Sequence, residues 1–237
     1  GTIATSNDAV VLGAVTLGSA TTVDTNASSD AGDITVAAIT GGSNNLTLST
    51  GDNIANTDIT ASGAISGLGN LTLADVGGTA TFSADVDVTT LTVGNTVANV
   101  AFTGNGSSVA ASFTPNNDGT FIFGASGGTQ TYNGGLNTAS VDGTVTLNGS
   151  LVTSNDALTV GAATLGSNTI LTSAGGAIVT GAIIGTSSED LTITSSGGGT
   201  NTVVTNGTIG ASGNINTIAI TGATSVSLGG NISTNDA

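Results

Sequence analysis

Short apolar–polar–apolar triplets recur along the whole chain and restrict it to one kind of secondary structure. They are Ile34–Val36, Leu46–Leu48, Leu71–Leu73, Leu91–Val93, Val145–Leu147, Leu158–Val160, Leu191–Ile193 and Val226–Leu228. In an extended strand this alternation places both apolar side chains on one face and the central hydroxyl on the other. No segment keeps a helical period, and the many β-branched residues and glycines disfavour helix. The sequence therefore predicts an all-β protein with strands of three to five residues.

The segments between the triplets are rich in Gly, Asn, Asp and Ser. They include Asn-Gly pairs at 105–106, 133–134, 148–149 and 206–207. These residue types tolerate positive φ angles and so favour turns. The pattern indicates many short strands separated by tight turns.

A longer repeat lies on top of this pattern. Residues 5–19 and 153–167 are identical at 11 of 15 positions, and the same motif begins again near 233. The two separations are close to whole multiples of roughly 20 residues, the size of one coil in a solenoid. We therefore predict a single β-solenoid over 1–237, a parallel β-helix with coils of roughly 20 residues, about 12 coils in all.

The aromatic content argues against the two-sheet alternatives. A sandwich or barrel would need large side chains to fill a wide core, and only 3% of the residues are aromatic. A narrow solenoid needs only Val, Ile, Leu, Ala and Thr inside. The residues expected to face the interior are Leu46, Leu48, Leu71, Leu73, Val145, Leu147, Leu191 and Ile193.

One region departs from the pattern. All five Phe and the single Tyr lie between Phe82 and Tyr132, and the only proline is Pro115. Residues 100–135 are therefore expected to form a wider coil, or an irregular insertion such as a hairpin that leaves the solenoid. The alternative is an aromatic patch that binds a glycan or a neighbouring subunit. Its candidate residues are Phe113, Phe121, Phe123 and Tyr132.

The charge balance excludes several classes of function. The chain has 15 acidic residues and no Lys, Arg or His, which gives a formal net charge of −15. It lacks the cations that neutralise phosphate, so we expect neither a nucleic acid nor an anionic lipid surface as a partner. No apolar stretch is long enough to insert into a membrane.

The absent residue types also remove most catalytic machinery. Without His, Lys, Arg or Cys, the chain offers no thiolate, Schiff-base or Ser-His-Asp chemistry, so we expect no enzyme. A chain without Lys or Arg resists trypsin-like proteases, which favours an extracellular location. Because the sequence begins with Gly1, we expect a processed chain or a segment of a longer one.

Oxygen ligands are densest at Asp24, Asn26, Asp30 and Asp33. Calcium prefers hard oxygen ligands of this kind, so these four residues form a candidate calcium site. Their spacing matches no known calcium loop, and a solvated turn is the alternative. No other cofactor is expected. The acidic pairs Asp85/Asp87 and Glu189/Asp190 are expected to be exposed.

The order of the motifs resembles the repeat arrays of bacterial filamentous-haemagglutinin-like and autotransporter-like adhesins. The resemblance rests on the T-x-N-D-A turn, the following "VTLGSATT" or "ATLGSNTI", and then "NNLTLSTG" or "EDLTITSS". It implies a secreted, right-handed parallel β-helix that serves in adhesion, biofilm or surface filaments. The function expected from it is that of a surface fibre or adhesin stalk.

Three other functions stay open at this point. They are a glycan-binding adhesin module that uses the central aromatic region, an ice-binding solenoid, and a calcium-dependent surface-layer component. Ice binding would need a regular T-x-T array on one face, and the sequence shows none.

The two ends of the chain carry related sequences. Residues 230–237 repeat the opening residues 1–9, so the last coil is expected to finish where the first begins. Neither end shows a polar cap, and an open strand edge invites further strands. The expected partner is therefore the chain itself, as a head-to-tail homopolymer or as tandem repeats of a longer polypeptide.

Overall fold

The computed structural model describes residues 1–6, 8–26, 32–51, 55–211 and 214–235. These residues form 23 strands and no helix, and all of their strand pairings are parallel. The predicted all-β solenoid is therefore confirmed. The strands are β1 Thr2–Ala4, β2 Val10–Thr16, β3 Thr21–Asp24, β4 Ile34–Thr40, β5 Leu46–Ser49, β6 Ile59–Ala61, β7 Ile65–Leu73, β8 Val76–Phe82, β9 Val86–Val93, β10 Val97–Phe102, β11 Ser108–Val109, β12 Phe121–Phe123, β13 Thr129–Tyr132, β14 Leu136–Asn137, β15 Val145–Thr153, β16 Leu158–Val160, β17 Ala163–Ser173, β18 Ile178–Thr180, β19 Ile183–Gly185, β20 Glu189–Ser195, β21 Thr202–Thr205, β22 Ile215–Thr221 and β23 Ser225–Leu228. The described residues include no helix long and apolar enough to cross a bilayer.

The strands stack in three parallel columns, which we call faces 1, 2 and 3. Face 1 runs through Val10, Ile34, Ile59, Ala80, Val100, Phe121, Val145, Ala163, Ile183, Ile209 and Ile232. Face 2 runs through β2, β4, β7, β9, β11, β13, β15, β17, β20 and β22. Face 3 runs through β1, β3, β5, β7 and β9, and then through Phe113, β14, β16, β18, β21 and β23. Its two parts are joined where the Asn116 N–H donates to the Val93 carbonyl at 3.2 Å.

Successive coils lie about 22 residues apart, and the solenoid has about 10 turns. The sequence predicted coils of roughly 20 residues, slightly shorter than observed, and about 12 coils, slightly more than observed. The difference arises at the corners, where the linking segments vary in length. Val10 pairs with Ile34, whereas Val145 pairs with Ala163.

The core is a single apolar column inside the coils. All eight residues predicted to face the interior are at most 1% exposed, which confirms the predicted orientation of the triplets. Leu71, for example, lies between Leu46 on the coil before it and Leu91 on the coil after it. Inward side chains of neighbouring coils therefore stack on one another.

Backbone hydrogen bonds between coils follow a fixed direction. The N–H of an inward residue donates to the following coil, as Leu136 does to Ala157 at 3.1 Å and Leu158 does to Ala177 at 2.9 Å. The N–H of an outward residue donates to the preceding coil, as Asn137 does to Phe113 at 2.9 Å. A terminal coil therefore leaves one set of these groups without a partner from its own chain.

Several strands bend around a corner and contribute to two faces. In β15 the bend lies at Gly149, where the pairing register with β17 shifts. Gly149 has a φ of 69°, and a side chain there would collide with the Gly128 carbonyl. The corner therefore requires glycine, because other residues strain at this φ and would not fit.

Residues 100–135 continue the stack rather than leave it as a hairpin. Val100 pairs in parallel with Phe121 on face 1, and Val109 pairs with Tyr132 on face 2. The aromatic side chains therefore belong to the coils themselves.

The sequence repeat and the coil are out of phase, which corrects the expectation of whole coils between motif copies. Ile3 and Leu151 lie four residues before the Asn of their motif copies, and Ile232 lies three residues before the Asn of the third copy. Ile3 lies on face 3, Leu151 on face 2 and Ile232 on face 1. Each copy of the motif therefore begins one face earlier than the copy before it.

Candidate functional site

The four predicted aromatic site residues lie together, but inside the solenoid. Phe113, Phe121, Phe123 and Tyr132 are at most 2% exposed. The rings of Phe121 and Phe123 stack with centroids 4.1 Å apart, and those of Phe113 and Tyr132 with centroids 5.8 Å apart. The predicted surface patch is therefore replaced by a ring cluster in the core. A glycan would reach these rings only if neighbouring coils separated.

A polar chain accompanies these rings in the core. The Tyr132 hydroxyl donates to Oε1 of Gln130 at 2.9 Å, and Nε2 of Gln130 donates to the Phe102 carbonyl at 3.0 Å. Burial raises the pKa of the Tyr132 phenol above its ordinary value. The phenol therefore stays neutral and serves as a hydrogen-bond donor.

The described candidate calcium residues flank the segment between β3 and β4, where Asp24 ends β3 and Asp33 directly precedes β4. Oδ1 of Asp24 accepts a hydrogen bond from the Asn26 N–H at 2.9 Å. Oδ1 of Asp33 accepts one from the Asp58 N–H of the next coil at 2.8 Å. Asp30 lies outside the described residues. Among the described residues, no three acidic side chains come close enough to hold a metal ion together.

The Asp33 contact belongs to a ladder along the corner before face 1. Oδ1 of Asp58 accepts the Thr79 N–H of the following coil at 2.7 Å. Further along, Oδ1 of Asn99 accepts the Thr120 N–H at 2.9 Å. Asp33, Asp58 and Asn99 at this corner therefore each accept a backbone N–H of the following coil.

Glu189 is buried, which corrects the expectation that it is exposed. Its side chain is 6% exposed and folds back onto the preceding loop. Oε2 accepts the N–H groups of Thr186 at 2.7 Å and Ser187 at 2.9 Å, and Oε1 accepts the Thr186 hydroxyl at 2.7 Å. Burial acts to raise the pKa of Glu189, but these hydrogen bonds outweigh it and lower the pKa. The carboxylate therefore holds the loop in place.

Of the other three acidic residues that were expected to be exposed, Asp87 is exposed, whereas Asp85 and Asp190 are partly buried. Asp190 accepts hydrogen bonds from Thr217 at 2.6 Å and Asn216 at 2.9 Å, and these contacts lower its pKa. The pKa of Asp87 is raised, first by partial desolvation of its carboxylate and then by the charge of Asp85.

A column of threonines that the sequence did not reveal lies on the outside of face 3. It consists of Thr2, Thr22, Thr47, Thr72 and Thr92, each paired in register with the next. The column is not visible in the sequence, because coil length varies and the paired threonines are unevenly spaced along the chain. The outward positions beside Thr47 and Thr72 are Asn45 and Asn70, so these coils carry one threonine column rather than a T-x-T array.

The first described coil has an open strand edge. β1 pairs only with β3, and β2 pairs only with β4. Ile3 is 39% exposed, although the residue paired with it, Val23, is fully buried. Val11 is 74% exposed on the outside of face 1. Among the described residues, no coil lies on the outer side of β1 and β2.

The last described coil has the same character. β22 pairs only with β20, and β23 pairs only with β21. Val226 and Leu228 are 48% and 54% exposed, yet they occupy inward positions above Val203 and Thr205. Among the described residues, no coil lies on the outer side of β23.

Comparison with known proteins identifies no relative. The sequence matches no family model and no curated protein, and the fold matches no solved structure.

Proposed function

We propose that this protein is a structural segment of an extracellular surface fibre or adhesin stalk, built by end-to-end stacking of β-solenoid coils. The β-solenoid fold is compatible with such a role. The observation that carries the proposal is the parallel stack of about 10 turns, in which each described coil pairs in register with the next.

The physical argument concerns strand edges. Natural proteins cover or charge an exposed edge, because unpaired N–H and C=O groups recruit further strands. Here the edge groups lie beside apolar side chains, and no Lys or Arg side chain is present to protect them. A head-to-tail contact between such ends does not close on itself, so it produces a filament.

The test removes one edge donor without removing a hydrogen bond inside the chain. By the direction of the coil-to-coil bonds, the N–H of inward Val226 points away from β21. Val226→Pro deletes this donor and places a ring where the next strand would lie. Val226→Ala keeps the donor and is the matched control.

We expect the unmodified protein to form longer particles as its concentration rises, measured by sedimentation velocity and electron microscopy. Val226→Pro should stay monomeric with an unchanged circular dichroism spectrum, and Val226→Ala should still assemble. Leu228→Pro serves as a second edge variant if Val226→Pro loses its β-structure. A folded protein that stays monomeric at high concentration would contradict the proposal.

A further inference from the structure

The four Asn-Gly pairs of the chain differ in how the coils hold them. They lie at 105–106, 133–134, 148–149 and 206–207. We propose that Asn133 and Asn206 are sites of spontaneous deamidation in the folded protein, and that the fold protects the pairs at 105–106 and 148–149. The only co-reactant is water.

Deamidation begins inside the chain. The backbone nitrogen of the residue after the asparagine attacks the side-chain carbon Cγ, a bond forms between these two atoms, and the Cγ–Nδ2 bond breaks. Ammonia leaves with the proton of the attacking N–H. Water then opens the five-membered succinimide ring, which gives aspartate or isoaspartate. Glycine after the asparagine favours ring closure, because it has no side chain to obstruct the nitrogen.

Ring closure makes two demands on the folded chain. The attacking nitrogen must give up its proton, and the peptide group between the two residues must rotate to bring that nitrogen to Cγ. Hydrogen bonds from this N–H, or to the carbonyl of the asparagine, oppose both changes because they must break first. The hydrogen bonds of the four peptide groups therefore decide which pairs react.

The peptide group between Asn105 and Gly106 is held on both sides. The Gly106 N–H donates to Oδ1 of Asp85 on the preceding coil at 2.7 Å. The Asn105 carbonyl accepts the Thr129 N–H of the following coil at 2.6 Å. Rotation of this group would break both bonds, so we expect Asn105 to be protected although its side chain is exposed.

The pair at 148–149 lies within strand β15, which pairs with β17. The Gly149 N–H donates to Oγ of Ser167 at 3.2 Å. The Asn148 side chain is half-buried, and its amide donates to the Gly124 carbonyl at 3.5 Å. Ring closure would disrupt the strand as well as these bonds, so we expect this pair to be protected too.

The pair at 206–207 has no such restraint. Asn206 is exposed and directly follows β21. Its own N–H anchors it to the Thr180 carbonyl at 2.7 Å. Among the described residues, neither the Asn206 carbonyl nor the Gly207 N–H has a hydrogen-bond partner. No hydrogen bond therefore holds the peptide group that must rotate.

The pair at 133–134 is intermediate. Asn133 is exposed and lies in the turn between β13 and β14. Its carbonyl accepts the Ser154 hydroxyl at 2.6 Å, whereas the Gly134 N–H donates to no described residue. One bond, from a hydroxyl that is able to rotate away, opposes ring closure. We therefore expect Asn133 to react more slowly than Asn206 and faster than the two protected pairs.

The experiment compares the four sites in one sample. The protein is incubated at mildly alkaline pH and analysed at intervals by top-down mass spectrometry, which locates each asparagine that has become an acid. A parallel sample in guanidinium chloride is the control, because the unfolded chain lacks these hydrogen bonds. Each rate in the folded protein is divided by the rate at the same site in denaturant. This relative rate should be at least about tenfold higher at Asn133 and Asn206 than at the other two sites, since a retained bond of about 1.4 kcal/mol gives that factor.

Asp85→Ala tests the protection directly. It removes the acceptor of the Gly106 N–H, so Asn105 should react several-fold faster in the folded variant. Asp118→Ala, at an exposed position, is the matched control and should leave Asn105 protected. Ser167→Ala applies the same test to the pair at 148–149 and serves if Asp85→Ala changes the circular dichroism spectrum.

Three results would overturn the proposal. The first is an equal relative rate at all four sites of the folded protein, or a higher one at Asn105 or Asn148 than at Asn206. The second is folded protein that stays unmodified at every site while the unfolded chain reacts. The third is a folded Asp85→Ala or Ser167→Ala variant whose exposed pair reacts no faster than in the unmodified protein.

Discussion

Tyr132 donates a hydrogen bond of 2.9 Å to Oε1 of Gln130 inside the core. Gln130 is fully buried, and its amide continues the chain of bonds to the Phe102 carbonyl. The aromatic coils therefore contain a satisfied polar network. A buried acceptor that loses its donor is costly, so this network is a sensitive point of the fold.

Tyr132→Phe should lower the free energy of unfolding by about 1–3 kcal/mol at neutral pH, because it leaves Oε1 of Gln130 without a donor. Denaturant titration measures the change. The double variant Tyr132→Phe with Gln130→Leu is the control and should recover part of the loss, since it removes both partners. A single variant as stable as the unmodified protein would argue against the network.

Tyr132 also predicts a loss of stability at alkaline pH. The folded pKa of Tyr132 is raised above the ordinary 10.0, so the unfolded chain loses the proton first as pH rises. The stability tied to Tyr132 is therefore full below pH 10.0 and is lost above it. Tyr132→Phe should flatten this part of the pH profile, and an unchanged profile would contradict the assignment.

Glu189 predicts a loss of stability at acid pH. Its folded pKa lies below the ordinary 4.5, so its stabilising contribution is present above that value and is lost as pH falls through the folded pKa. Glu189→Gln should cost about 1–3 kcal/mol at pH 7, because one charged acceptor is lost and an amide N–H₂ faces a donor. Asp118→Asn, at an exposed position, is the control and should change little. Equal acid profiles for the two variants would refute the role of Glu189.

Leu71 tests the stacked core. Leu71→Ala should lower the free energy of unfolding by about 2–5 kcal/mol, because it opens a cavity between Leu46 and Leu91. Thr72→Ala, the next residue on the outward side, should cost less than about 1 kcal/mol. Leu71→Asp should unfold several neighbouring coils. Similar losses for Leu71→Ala and Thr72→Ala, measured by chemical denaturation, would contradict the inward assignment.

The net charge of −15 predicts a dependence on ions. Carboxylates within about 10 Å repel one another at 0.1 M salt, so added salt should raise the thermal midpoint. Calcium bound at the candidate site should raise it further in high salt. Asp24→Asn should abolish only the calcium part, because an asparagine oxygen still accepts from the Asn26 N–H. Equal midpoints in chelator, salt and calcium would refute both screening and calcium binding.

Strand identity and side-chain direction are local properties, and the sequence predicted both for the eight triplets. It did not predict strand length, because β7, β15 and β17 have 9, 9 and 11 residues where three to five were expected. The alternation in Leu46–Leu48 or Leu191–Ile193 sets which side chains point inward, whatever the length of the coil. The parallel solenoid followed from the same pattern together with the repeat and the scarcity of aromatic residues. The exposed apolar residues at the ends follow from where the described stack stops, so the triplet pattern alone did not reveal them.

Contacts between coils depend on how many residues each corner uses, and only the tertiary structure decided them. Corner lengths determine that Thr22, Thr47 and Thr72 align, that the rings of Phe121 and Tyr132 lie inside, and that Glu189 folds back onto its own loop. They also put Ile3 and Leu151 on different faces, although the same motif contains both. A period of two residues is visible along the chain, whereas the register between residues about 22 positions apart arises only when the coils stack and their backbones pair.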